Sequence, residues 1–351
     1  MDPVDRPGLV DAAERHRLAP LLGHRLREAG TLEAWTGGPG ERLAVAGRDA
    51  VMLEEVRRRE LDAVVRALAT GGVASVLFKG SALAYTVYPS PGLRPRLDTD
   101  LLIDEAELPR LRRILETQGY RAAVETSGAL VTAQCHYDRV DRSGARHALD
   151  VHWRPFNPPR FAGVLSTQEV RAAAQPVPGL SPHARVPSTV HALLLACVHR
   201  AAHHAEAHDL LWLYDLHLLA SGLDASGWDA LLELAARRQV LAVCLRGLQA
   251  ARACFGTRLP PAATSSGAAL DALVQREGTA PYLRGDQPLA AQLWRDLRAL
   301  DGWCARGRLV REHLLPPAGY LQARYGTRSR LALPFLYVWR ACCGAPRWFR
   351  R

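Results

Sequence analysis

Lysine is almost missing from this chain of 351 residues: among 45 basic residues Lys79 is the only one, and the rest are arginine. Compositional bias accounts for the replacement elsewhere, and the survivor sits directly before Gly80-Ser81. Paired cysteines are missing too. The seven cysteines include no CxxC and are odd in number, which argues against a disulfide framework and points to a reducing cytoplasm. No apolar run approaches the ~20 residues that a membrane span needs. Residues 331–339 form the longest near the end, at half that length and with Pro334 inside it. The opening MDPVDRPG has no apolar core of a signal peptide. A cytoplasmic protein without a membrane partner is the expectation, and no internal repeat is visible.

What is present describes a soluble globular protein, 48% hydrophobic and 23% charged, long enough for two or three subdomains. A net charge of +10 suits an anionic ligand such as a nucleotide, or nucleic acid. Only Arg57-Arg58-Arg59 and the tail from Arg347 to Arg351 look clustered, and neither alternates with aromatics as a nucleic-acid groove would. Nucleic acid is therefore a possible partner but not the favoured one, and arginine bias spread over the surface explains much of the charge.

The chain changes character along its length. Residues 9–70 read as helices, the second over 41–69 with Val45, Met52, Val56, Leu61, Val64, Val65 and Leu68 on one side, capped by Gly71-Gly72. Residues 73–154 read as an α/β core. Strands are expected over 73–78, 97–103 and 120–124, helices over 82–88 and 105–118, and a hairpin joins 130–141 to 145–153. Residues 155–187 hold seven prolines and little periodicity, as a linker or covering loop would. From Thr189 the pattern is helical over 189–220, 226–255, 266–276, 287–304 and 305–314, with Pro316-Pro317 as a break before the tail. The domain reading is thus 1–72 helical, 73–154 α/β, 155–188 linker or cover, and 189–351 helical.

Residues 76–104 organise the rest. An apolar run ends in Lys79-Gly80-Ser81, a short helix and a Pro/Gly turn follow, and Leu97-Asp98-Thr99-Asp100-Leu101-Leu102-Ile103 closes the stretch. On a strand Asp98 and Asp100 share one face, with Leu97, Thr99, Leu101 and Ile103 on the other. Neighbouring carboxylates repel, so stability alone does not favour them, and a divalent cation removes that cost. The plainer reading is a pair of solvated strand-edge acids.

Lys79-Gly80-Ser81, Arg94 and Asp98-x-Asp100 resemble the nucleotidyltransferase superfamily that has the fold of DNA polymerase beta. Within it the chain is most similar to the bacterial family called NTP transferase 5. The shared features are Phe78-Lys79-Gly80, Tyr88 with Arg94, Asp98 to Leu102, and Asp150-Val151-His152-Trp153. The opening AAERHRLAPLL, residues 193–216 with His199, His203 and Asp215, and residues 314–325 resemble further parts of the family pattern. The resemblance implies a polymerase-beta-like core of the α/β (α+β) class with a short mixed sheet, an N-terminal helical segment and a C-terminal helical domain.

It also implies a chemistry: a hydroxyl attacks the α-phosphorus of an NTP and pyrophosphate leaves. Asp98, Asp100 and Asp150 would be the catalytic and metal-binding carboxylates for Mg²⁺ or Mn²⁺, with Asp150 also helping to activate the hydroxyl. Gly80 would allow close backbone approach to the phosphates. Ser81 would add a hydroxyl, and Lys79, Arg94 and Arg96 positive charge. Lys79 could equally anchor its strand, Arg94 could pair with the carboxylates, and Asp150 could pair with a nearby arginine. His152 and Trp153 read as scaffold, with His152 as possible cleft lining.

A second cluster, His199, His203, His204, His208 and Asp209, has helical i,i+4 spacing but neither the Glu of HExxH nor nearby cysteines. Packing, capping or lining of the cleft by His199 and His203 is the better reading than zinc. The function expected is transfer of a nucleoside monophosphate to a hydroxyl of a small molecule, a peptide product or RNA, with a biosynthetic tailoring role by analogy. The alternative is a non-catalytic nucleotide- or RNA-binding protein on the same fold, against which the intact Asp98, Asp100 and Asp150 argue.

Overall fold

The computed structural model describes residues 5–35, 37–123, 130–204, 209–283 and 288–349. Thr36, Val124, His208, Gln287 and the last two arginines of the tail, all within the expectations above, lie outside the described residues.

A sheet of five strands forms the centre: β1 (Val76–Phe78), β2 (Thr99–Leu102), β3 (Arg121–Ala122), β4 (Gln134–Val140) and β5 (Arg146–His152), in the order β1-β2-β5-β4-β3. It is mixed, because β2 runs parallel to β5 while the other pairs are antiparallel. The β4–β5 hairpin turns through Asp141, whose side chain accepts from the amides of Ser143 and Ala145.

The period of two divides each strand between two cores. Leu77, Leu101, Ile103, Leu149 and Val151 pack against Leu61, Val64, Val65 and Leu68 of the helix Gly38–Thr70, and against Leu111 and Leu115 of the helix Leu108–Thr117. Val76, Phe78 and Leu102 join the other core, shared with the helices Thr189–His204, Leu210–Ser221, Ala225–Arg237 and Leu241–Phe255. Asp100, Asp150 and His152 therefore emerge between the sheet and the helices. A third, smaller core of Val10, Ala13, Ala19, Trp35 and Leu43 seats the N-terminal helices Arg6–Arg15 and Ala19–Glu28 on the long helix.

Several local expectations differ from the structure. The strand expected over 97–103 is regular only over Thr99–Leu102, and Leu97, placed on the core face by alternation, is 79% exposed because it precedes the regular strand. Val45, Met52 and Val56 are exposed, although periodicity set them with the buried stripe. That stripe is continued by Glu54, which is buried and accepts from Arg96 and Tyr85. Glu54, Leu61, Val65 and Leu68 follow one helical face, so the apolar residues between them rotate outward.

The proline-rich stretch is packed rather than open. Phe156, Phe161, Val164, Leu165 and Val170 enter the helical core, and Val177, Leu180, Ala184 and Val186 the sheet core. The stretch forms the short helices Pro159–Ala162 and Thr167–Ala172 and a two-stranded pair, β6 (Gln175–Pro176) with β7 (Arg185–Val186). Beyond it the helix boundaries differ from those expected: 225–237 and 241–255 are separate, Leu289–Arg298 ends before 304, and Trp303–Leu314 begins two residues before 305.

Candidate active site

Register brings the carboxylates together. In the parallel pairing of β2 with β5, Asp100 lies opposite Asp150, and Leu102 opposite His152. Donor atoms of Asp100, Asp150 and His152 all lie within 4.8 Å of one another. Asp98, two residues before Asp100, is half-buried beside them. Burial pushes its carboxyl above the usual range, and the charges of Asp100 and Asp150 push it further in the same direction.

Asp100 is the best-held of the three. Burial works to raise its carboxyl, but the Lys79 ammonium and His152 outweigh that and hold it well below the usual range. Lys79 Nζ donates to Asp100 Oδ1 at 2.7 Å, and His152 Nε2 lies 3.0 Å from the same oxygen. Burial and the Lys79 charge push the His152 imidazole below its ordinary value. Lys79 reaches this position from a left-handed backbone, φ +52°, at the junction where β1 turns into the helix Lys79–Thr86. A non-glycine residue held there is strained and needs its surroundings to fix it.

Asp150 is steadied from the neighbouring strand by His136, whose Nδ1 lies 2.5 Å from Asp150 Oδ1. Nε2 of the same ring lies 3.0 Å from Asp138, which in turn accepts from Arg146 Nε at 2.9 Å. Burial works to lower the His136 imidazole, but Asp150 and then Asp138 raise it overall. His136 was not singled out from the sequence. The one available signal was its place in the expected hairpin opposite Asp150, since both point to the same sheet face.

A cavity of about 600 Å³ opens over this cluster. Its sheet side carries Lys79, Gly80, Arg94, Arg96, Asp98, Asp100 and Asp150. Its helical side carries Leu195, Ala196, His199, Arg200, His203 and Trp212. Burial, then the Lys79 charge, holds His199 well below and His203 down at about 3, so both imidazoles are neutral at neutral pH. His204 Nε2 lies 3.2 Å from His199 Nε2, and the His204 ring packs on Trp212 at 4.0 Å between centroids.

The remaining residues expected at the site sit as follows. Arg94 lines the cavity but is bound by Asp215 through two bonds, Nε at 3.1 Å and Nη2 at 2.6 Å, and Tyr88 donates to the same carboxylate at 2.7 Å. Arg96 is buried with Nη2 2.5 Å from Glu54. Ser81 is 1% exposed, does not line the cavity, and its hydroxyl has no protein partner. At Gly80 the close neighbour is Arg94: an added Cβ would lie 2.7 Å from Nη1 and 3.1 Å from Cζ. The absence of a side chain there lets the guanidinium approach the backbone closely. His152 is 3% exposed, behind Asp100.

The donor set fits a hard divalent cation. Carboxylate oxygens of Asp100 and Asp150 suit Mg²⁺ and Mn²⁺, and the adjacent His152 imidazole suits Mn²⁺ as well.

In comparison with known proteins, the family model NTP transferase 5, described as an uncharacterised nucleotidyltransferase, matches residues 2–256. No curated protein matches the chain.

Proposed function

The chain belongs to this nucleotidyltransferase family, and from that premise we propose that it transfers a nucleoside monophosphate from an NTP to a hydroxyl, with a divalent cation held by Asp98, Asp100 and Asp150. The observation that carries this reading is the convergence of the three carboxylates under one cavity, where burial, and then the charges of Asp100 and Asp150, hold the Asp98 carboxyl above its usual range. When bound, the cation would supply Lewis-acid stabilisation of charge on the phosphoryl oxygens.

The chain's own residues do the rest. The acceptor oxygen forms a bond to the α-phosphorus while the bond from that phosphorus to the bridging oxygen of the β-phosphate breaks, and pyrophosphate leaves. Asp150 takes the hydroxyl proton on its carboxylate, kept in orientation by His136. Lys79 Nζ, at the cavity wall, exchanges Asp100 for a phosphate oxygen. Arg94 and Arg96 act through position and field, because their forks are engaged by Asp215 and Glu54. The neutral wall of His199, His203 and Trp212 receives the uncharged portion of NTP or acceptor.

Calorimetry of NTP binding with and without Mg²⁺, on the wild type and on Asp98→Ala/Asp100→Ala, tests the reading. Binding that requires the metal and is lost in the variant is expected, and it justifies a screen of acceptors with α-labelled NTP. Metal-independent binding unchanged by the substitutions would make this a nucleotide binder with structural acids.

A further inference from the structure

Charge is divided unevenly along this molecule. Residues 257–351, beyond the family match, contain 15 arginines against 6 acidic residues, a net of +9. Residues 1–256 contain 30 basic residues against 29 acidic ones, a net of +1. The part of the chain that carries the candidate active site is nearly neutral, and almost all of the net positive charge lies in the residues that follow.

Exposed apolar side chains are concentrated in the same region. Trp303 is 84% exposed, Leu331 93%, Phe335 65%, Val338 63% and Trp339 50%. The helix Leu333–Phe349 gives this exposure a direction. Its inner side is fixed: Leu336 is buried, Tyr337 Oη donates to the carbonyl of Pro316 at 2.7 Å, and Arg340 Nη1 to that of His313 at 2.9 Å. At 3.6 residues per turn, Phe335, Val338, Trp339 and Cys342 fall within about 100° of arc on the opposite side. Rings of Phe335 and Trp339 stack at 6.0 Å, and Cys342 is exposed beside them. This arc holds no charge. Exposed arginines stand next to it in the chain, at Arg324, Arg328 and Arg330.

We propose that this face binds an anionic phospholipid surface, lying in the headgroup region with Phe335, Val338 and Trp339 inserted and the arginines on the lipid phosphates. An uncharged aromatic and aliphatic arc with exposed arginines in the segment that leads into it is an arrangement suited to a lipid interface. A nucleic-acid groove would instead interleave arginine with its aromatics. A second copy of the chain is disfavoured because it would bring one strongly positive region against another. The length argument from sequence holds for spanning, since no helix among the described residues is long and apolar enough to cross a membrane. It does not bear on lying along a surface.

Vesicle flotation of the full chain is the test, with phosphatidylcholine alone and with roughly a third phosphatidylglycerol. The wild type is expected to float with the anionic vesicles more than about tenfold better than with neutral ones, with a blue shift of tryptophan emission. Phe335→Ser/Trp339→Ser should lose about tenfold or more, and Arg328→Glu/Arg330→Glu should weaken binding and its salt dependence. Unchanged circular dichroism and NTP binding in both variants would separate this loss from misfolding. No flotation with either vesicle overturns the proposal, as does flotation of the serine variant equal to wild type. Retention of single-stranded RNA without vesicle binding, or a dimer in solution that the serine variant dissociates, assigns the face to those partners instead.

Discussion

At the scale of single residues, Asp98 separates what the site needs from what the fold prefers. Its carboxyl is raised by burial and by Asp100 and Asp150, so its ionised form costs stability at neutral pH, and that cost disappears as pH falls through its raised value. Asp100 has the opposite sign. Held low by Lys79 and His152 against the effect of burial, it contributes stability above the ordinary carboxylate range that is lost only in stronger acid. Asp98→Asn should therefore raise the unfolding temperature at neutral pH in chelator, with the gain shrinking in mild acid. The same change should lower the rate of nucleotidyl transfer by at least ~100-fold. Mg²⁺ affinity of the wild type should weaken as pH falls through the raised value of Asp98, because the cation competes with a proton there. Thermal scans across pH, with chelator and with Mg²⁺, measure all of this. An Asn variant less stable than wild type at neutral pH without metal would show that Asp98 is structural.

Elements bring together residues that no local pattern relates. The 310 turn Pro91–Leu93 delivers Arg94 to Asp215 on the helix Leu210–Ser221, and this buried pair fastens the sheet to the helical side of the cavity. Arg94→Ala leaves Asp215 buried and without its strongest partner, which should cost about 3–5 kcal/mol. Replacing both residues by leucine should cost markedly less than the sum of the single changes, since no orphaned charge remains. Urea unfolding of the two single variants and the double variant measures the coupling, and additive losses would mean that the pair does not fasten the two sides. The sequence showed Asp98 and Asp100 because a strand period is local, and Asp150 because its motif has a counterpart in the family. It left the role of Arg94 open, between phosphate contact and a carboxylate partner, because Asp215 lies 121 residues away and only packing selects it. Glu54 was hidden in the same way: on a helix of mixed apolar and charged residues, periodicity selected the valines and methionine that the structure leaves exposed. His136 could be placed opposite Asp150 only through the register of the expected hairpin, a non-local pairing that no motif marks.

The whole molecule does not divide where the family match ends. Residues beyond 256 complete the helical core, since Leu270, Val274 and Tyr282 are buried within it. Glu277 accepts from the amides of Leu241 and Ala242 at 3.0 Å each, satisfying the start of the helix Leu241–Phe255. Further along, Glu312 accepts from the amides of Leu130 and Val131, so the last helices also grip the edge of the α/β region. A chain cut after residue 256 should therefore expose the apolar faces of Thr189–His204 and Leu241–Phe255 and aggregate, although it contains every residue proposed for transfer. Glu277→Ala in the full chain tests the same dependence more gently: an uncapped helix start should cost ~1–2 kcal/mol. Losses of that size, read by urea unfolding with the metal site intact, would establish the later helices as part of the catalytic body. A soluble, cooperatively folding fragment 1–256 that binds NTP as the full chain does would instead make them an attached module, whose function is confined to the charged and apolar surface it carries.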